Sequence, residues 1–248
     1  MLRISKWILL TTIAAGGGRV NLGITLARGG SKSIPKKNIA EVAGKPLLAY
    51  TIEAASRSKY LHKYIVNTDC EEIAQVAEKY GALVQFGRPR ELSVDTASSG
   101  DTLKYVVERF ENETGHSVNL VVELMATNPL KTEEDIDACI LMLIDKSADS
   151  VIALGRLFDH HPSRIKYLDE QGVISDFYPE VPESRRQDLM PLAYIRAGSV
   201  YAMTREQIST ARRYGGKKSY GYILPDERFL NIDEPRDLLL AAQLLSET

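Results

Sequence analysis

From Asn21 onward, near-continuous apolar runs alternate with amphipathic segments of helical length, and this alternation constrains the fold more than any other feature. LGITLA, KYIVNTD, ALVQF, VNLVVEL and DSVIAL read as strands. Between them the apolar spacing predicts helices over 47–58, over 70–81 with Gly81 as the stop, around 102–110, and after Thr132. Thr132 with Asp135 three residues on resembles a capping box in which Asp replaces the usual Glu. Strands that are apolar on both faces and separated by helices require a mostly parallel sheet covered on both sides. The expected fold class is therefore α/β, a Rossmann-like sheet with helices on both faces. A chain of 248 residues is long enough to build it around a substantial core.

The rhythm breaks over 155–191, which holds several prolines and no long helical pattern. RIKYLDEQGVISDFY within it reads as a β-hairpin turning at 170–172. SVYAMT then returns as a strand, SYGYIL adds another, and PRDLLLAAQLLSE is the closing helix. The expected organisation is one domain over 21–248 with a small antiparallel excursion at about 155–192. Ile165, Tyr167, Val173, Ile174 and Phe177 of that excursion are too apolar for a free surface, and a second copy of the chain is the expected cover, giving a homodimer.

Residues 1–20 stand apart. MLRISKWILLTTIAAGGG sets Arg3 and Lys6 before an apolar run over 7–15, which resembles a short signal peptide and is too short to span a bilayer as a helix. The first strand follows almost at once, so an overextended or non-native start is the favoured reading. Cys70 and Cys139 are far apart, with no ligand-like spacing, and indicate a reducing compartment rather than a disulfide framework or zinc knuckle. A cytoplasmic protein is expected, with no membrane partner. The net charge of −2 excludes nucleic-acid binding through bulk electrostatics.

Against that slightly acidic background, TLARGGSKSIPKKN (25–38) concentrates Arg28, Lys32, Lys36 and Lys37 on a glycine-rich turn directly after the first strand. Ligands of open α/β sheets bind beyond the carboxyl ends of strands. Gly29 and Gly30 let backbone amides approach phosphate oxygens, and the cations neutralise them. GxxxxGK[ST] is absent, so this is not a Walker A loop. On charge and placement alone, a solvated surface loop is an equal alternative.

ARGGSKSIPKKN, IVNTD, RPRELSVDTASS, TNPLKT, HHP, RRQDL and NIDEPRD follow one another in an order that resembles the acylneuraminate cytidylyltransferase (CMP-N-acetylneuraminic acid synthetase) family, from Asn21 to the end of the chain. The resemblance implies a nucleotide-diphospho-sugar transferase-like fold. It also implies an enzyme that couples CTP to a sialic-acid-like nonulosonic or related sugar acid, giving a CMP-sugar and pyrophosphate with Mg²⁺ as cofactor. It makes Arg28, Lys32, Lys37 and Asp233 the catalytic candidates, with Asp233 and Asn231 as metal ligands. Nucleotide binding falls to Leu26, Ala27, Arg28, Gly29, Ser31, Lys32, Lys37, Asn38, Arg88, Ala97, Ser98 and Ser99. For the serines, a helix N-terminus with Ser or Thr as cap is the competing explanation. On the sugar side stand Met125, Thr127, Arg185, Arg186, Gln187 and Arg196, the arginines being suited to grip a carboxylate bidentately.

Three positions depart from the family's pattern. Asn231 takes the place of the first aspartate of an Asp-x-Asp pair, which should weaken Mg²⁺ binding because that ion prefers charged oxygens. Met125 replaces a glutamine and Ala197 an asparagine, and both losses argue against sialic acid itself as acceptor. Pro235 also suits the first position of the closing helix, so Asp233 has a structural role open to it as well. Adjacent His160 and His161 rarely converge on one ion and are not read as a metal site. The alternatives to this enzyme are a transferase for another sugar or nucleotide, and a non-catalytic nucleotide-binding relative.

Overall fold

A computed structural model describes residues 18–31, 33–180 and 185–246. In chain order the elements are β1 (Arg19–Leu26), β2 (Glu41–Val42), β3 (Lys45–Pro46), α1 (Leu47–Arg57), β4 (Lys63–Asn67), α2 (Glu71–Lys79) and α3 (Arg90–Ser93). Then follow α4 (Ser99–Thr114), β5 (Ser117–Leu124), α5 (Glu133–Asp145), β6 (Ser150–Arg156), β7 (Lys166–Leu168) and β8 (Ile174–Asp176). β9 (Tyr194–Thr204), α6 (Arg205–Ser209), β10 (Ser219–Ile223) and α7 (Pro235–Ser246) complete the chain.

Six strands form the central sheet in the order β10-β6-β9-β5-β1-β4. β1 pairs in parallel with β4 and β5, and β6 with β10, as the apolar strand runs predicted. β9 runs antiparallel to both β5 and β6. The reason is local: among the described residues no crossover helix separates β6 from β9, and the chain that leaves at Arg156 comes back beside it at Tyr194. Along that return, Gly198 sits at φ +59°, and a side chain there would meet Asn231 Oδ1 at 2.6 Å. Glycine is required on both counts.

The sheet is covered on both faces. Leu48, Ile52, Ile73, Ile136 and Ile140 of α1, α2 and α5 pack with Val66 and Val122 on one side. Leu103, Val106, Val107 and Phe110 of α4, with Ile208 of α6, pack with Ile24, Val121 and Met203 on the other. Each such side chain contributes about 1.5–3 kcal/mol on burial, which is why the two periodicities locate these elements reliably. At the entry of α5, Thr132 N donates to Asp135 Oδ2 at 3.0 Å. Asp135 is fully buried and also accepts from both Arg228 Nε and Nη2 and from Tyr222 Oη, tying α5 to β10 and the turn beyond it.

Two expectations are corrected. ALVQF is not a strand: its only ladder contact is an isolated parallel bridge of Leu83 to Ile65, and Phe86 turns the chain at φ +60°. Phe86 in the left-handed region, followed by Gly87 and Pro89, turns the chain away from extended backbone, and the segment packs its apolar side chains as a loop. Cys70 lies not inside a helix but at the N-cap of α2, whereas Cys139 is buried within α5. The predicted hairpin is present as β7 and β8, with Gly172 at φ +82° in its turn. No helix among the described residues is long and apolar enough to cross a membrane. The signal-peptide-like run over 1–17 and Lys32 lie outside the described residues.

Candidate active site

The carboxyl ends of β1 and β5 open onto a single cleft, the position expected for a ligand of this architecture. Leu26, Arg28, Asn38, Arg88, Ala97, Ser99, Met125 and Thr127 line it, so residues spread over a hundred positions of sequence converge on one wall. Val94, Asp95, Glu123 and Ala126 complete the lining.

The basic loop is braced rather than free. Asn38 Nδ2 donates to Arg28 O at 3.0 Å, closing the loop on itself. Gly29 N donates to Asp69 Oδ1 at 2.8 Å, and a Cβ at Gly29 would stand 2.9 Å from Cys70 Cβ, so the glycine serves a close approach to the end of β4. This amide is therefore engaged within the protein, while Gly30 and Ser31 lie further out on the turn. Ala27 is fully buried and contributes backbone, its N–H donating to Asn67 O.

Each described cation of the loop carries an acidic partner from a distant segment. Arg28 Nη1 meets Asp95 Oδ1 at 2.6 Å, Lys36 Nζ binds Glu72, and Lys37 Nζ reaches Asp233 Oδ1 at 3.1 Å and Ile232 O at 3.0 Å. Lys36 is in the left-handed region, and its ammonium is held above its ordinary pKa chiefly by the hydrogen bond to Glu72. Exposed pairs such as Lys36–Glu72 are weak in water and can be exchanged for a ligand. Lys37 is mostly buried, and its pairing joins two candidates that stand 196 positions apart in sequence.

Within the same lining, Arg88 donates through Nε and Nη2 to Leu92 O, and burial lowers its pKa from the ordinary arginine value. Ser98 takes the helix-cap role: its Oγ accepts from Asp101 N at 3.0 Å. Ser99, one residue on, is the serine that faces the cleft. Asp237 Oδ2 accepts from the backbone N–H of Asp233 and of Glu234, fixing the turn before α7 that presents Asp233. Hydrogen bonding to the charged form holds the Asp237 carboxyl below its ordinary value.

Other expectations are not met within one chain. Arg185 pairs with Asp188, Arg186 stacks over Phe158 at 4.6 Å, and Gln187 is exposed, all outside the residues that line the cleft. Arg196 donates to Tyr214 Oη at 2.9 Å near the start of β9. Ala197 is wholly buried, so its position no longer presents a polar group. His161 is structural: it is buried, with Nε2 bonded to Pro191 O and Nδ1 accepting from Ser163 N. Glu123 and its partner Arg213 are the cleft feature that sequence reasoning missed; the signal was a lone acid inside the apolar run VNLVVEL.

The chain is similar to several known proteins. A pseudaminic acid cytidylyltransferase of Campylobacter jejuni is 34% identical over 221 residues, covering 89% of this chain and 94% of that protein. An N-acylneuraminate cytidylyltransferase of Escherichia coli is 31% identical over 222 residues, 89% of this chain and 51% of the relative. A solved CMP:2-keto-3-deoxy-manno-octonic acid synthetase complexed with CTP superposes with a TM-score of 0.66 over 94% of this chain and 99% of that one; at 16% identity it speaks for the fold. Residues 22–215, spanning the basic loop, the cleft walls and β9, match the family described as Cytidylyltransferase, and this chain belongs to it.

Proposed function

We propose that this protein transfers CMP from CTP to the anomeric hydroxyl of a nonulosonic acid, releasing pyrophosphate. The observation that carries this reading is the convergence of Arg28, Asn38, Arg88, Ala97 and Ser99 on one cleft at the carboxyl ends of the parallel strands. Ala97 and Ser99 offer a flat wall with a hydroxyl for a pyrimidine edge, and Arg28 with the loop cations receives the triphosphate. Displacement at the α-phosphate is catalysed by positioning and by neutralising charge, and Lys37 is braced to do the second.

The Asp233 carboxylate and the unpartnered Asn231 carbonyl oxygen are oxygen donors of the kind a magnesium ion takes. Asp233 is exposed, while Asn231 donates Nδ2 to Asp233 Oδ2 and keeps a buried Oδ1 without a hydrogen-bond partner. Among the described residues no group of three His, Cys, Asp or Glu could hold a metal unaided. Asp233, with Asn231 as a neutral second donor, would hold Mg²⁺, which supplies charge neutralisation at the phosphates. Asn231→Asp is expected to lower the Mg²⁺ concentration needed for half-maximal turnover severalfold, because a second carboxylate joins the pair. A titration in which the variant needs more Mg²⁺ refutes this assignment.

The acceptor is proposed to be of the pseudaminic rather than the N-acylneuraminic kind. Support comes from the apolar Met125 in the cleft, the buried Ala197, and the 34% identity to the Campylobacter enzyme. Pyrophosphate release with CTP, Mg²⁺ and a panel of nonulosonic acids tests both levels. Turnover with pseudaminic acid supports the reading, turnover only with N-acetylneuraminic acid overturns the narrower choice, and silence across the panel overturns the activity.

The working form is proposed to be a cytoplasmic homodimer. The two cysteines are free, in keeping with a reducing compartment. Leu168 and Ile174 on the β7–β8 hairpin are 70% and 65% exposed, and Tyr167, Val173 and Phe177 extend the same apolar surface. A two-fold pair would cover it and bring Arg185 and Arg186, which lie outside their own cleft, toward the neighbour's acceptor side. Light scattering at micromolar concentration is expected to report about twice the 27.6 kDa chain mass. A fully active monomer would contradict the shared site.

A further inference from the structure

The cleft floor carries a carboxylate that nothing in phosphate or metal binding requires. Glu123 stands on β5 between Val122 and Leu124 and is 3% exposed, yet it lines the cleft beside Met125. A buried charge persists only with a partner, and Arg213 supplies one: its Nη1 donates to Glu123 Oε2 at 2.8 Å. Arg213 is itself held over the Tyr201 ring at 4.5 Å, and Tyr201 is the cross-strand neighbour of Glu123 on β9. Among the described residues, Oε1 of Glu123 has no hydrogen-bond partner. Burial pushes the carboxyl up and Arg213 opposes that shift.

Position and charge together select what Oε1 can meet. The triphosphate and the acceptor's own carboxylate are anions and cannot lie against it. Glu123 lines the cleft with Met125, two positions further along the chain, and has Tyr201 as its cross-strand neighbour, so this stretch suits an uncharged, donor-bearing part of a substrate. Met125 offers no competing donor there. We propose that Glu123 is a specificity-determining residue that accepts, through Oε1, a hydrogen bond from an N–H or O–H group of the acceptor sugar acid. This rests on the nonulosonic-acid reading given above and deepens it. Arg213 engages one oxygen only, so the other stays available to the substrate. An acceptor without the donor leaves a desolvated acceptor oxygen unmatched, and the site rejects it.

The test is steady-state pyrophosphate release with pseudaminic acid and N-acetylneuraminic acid, and with analogues of each that lack one hydroxyl or carry an N-methylated amide. Two variants are compared with the wild type. Glu123→Gln keeps the shape, and the double variant Glu123→Leu with Arg213→Met removes both charges together, which buried pairs tolerate better than losing one partner. Both are expected to raise the acceptor KM about tenfold or more, leave the CTP KM within about twofold, and erase the wild-type preference for one donor-bearing acceptor over its analogue. Should the double variant fail to fold, Glu123→Gln yields the same three readouts. An unchanged acceptor KM with preference retained, or a shift confined to the CTP KM, overturns the proposal while the function stands. A wild type silent with every sugar acid overturns both.

Discussion

Lys37→Ala is expected to lower turnover by about two to three orders of magnitude without unfolding the protein, the loss typical of removing one preorganised charge donor from a transition state. Lys37 begins the 3-10 turn over Lys37–Ile39, and its ammonium is aimed by two acceptors from the far end of the chain, Ile232 O and Asp233 Oδ1. That bracing removes the reorganisation a flexible surface lysine would need. Lys37→Arg should recover little, because the larger fork cannot keep both short contacts. Single-turnover pyrophosphate release separates the outcomes. A fall in the chemical step with CTP affinity little changed supports the role, whereas a variant that keeps full turnover removes Lys37 from the site.

Gly100→Ala is expected to destabilise the protein by about 2–3 kcal/mol, the upper range for overpacking, and so to lower the melting midpoint by roughly 5–10 °C. Gly100 is in the first turn of α4, where helix propensity alone would make alanine stabilising by about 0.5–1 kcal/mol. Tertiary contact reverses the sign. A Cβ at Gly100 would stand 1.8 Å from Ala211 O and 2.6 Å from Ala211 C, both backbone atoms, and Ala211 is already in the left-handed region at φ +56°. Either α4 or the loop that carries Arg213 must move, and Ser99 lines the cleft one residue away. Moving Ser99 should raise the CTP KM, and moving the loop that holds Arg213 should raise the acceptor KM, together with the loss of stability. Calorimetry showing an unchanged or higher midpoint would mean that the two segments are not in contact.

Much of the site was legible because its chemistry sits in contiguous words. ARGGSKSIPKKN and RPRELSVDTASS each hold several cleft residues within about a dozen positions, and their composition is unusual enough to stand out from surface loops. Arg28, Asn38, Arg88, Ala97 and Ser99 line one cleft. Arg185 and Arg186 do not line the cleft; they follow β7 and β8, which pair as a separate two-stranded sheet, and no local pattern of charges reveals that. Ser98 answered to the bland alternative, because a serine before a helix satisfies the orphan N–H of Asp101 whether or not a ligand is near.

The sequence by itself determined the layered α/β architecture, the hairpin and the position of the basic loop, since apolar periodicity and turn chemistry are short-range properties that a strand or helix expresses almost anywhere. The direction of β9, the failure of ALVQF to join the ladder, the Lys37–Asp233 pair and the Glu123–Arg213 pair were decided only by the tertiary structure. Each depends on which distant backbone comes within hydrogen-bonding reach, and two side chains 90 or 196 positions apart have no mutual energy until the sheet brings their strands and loops together.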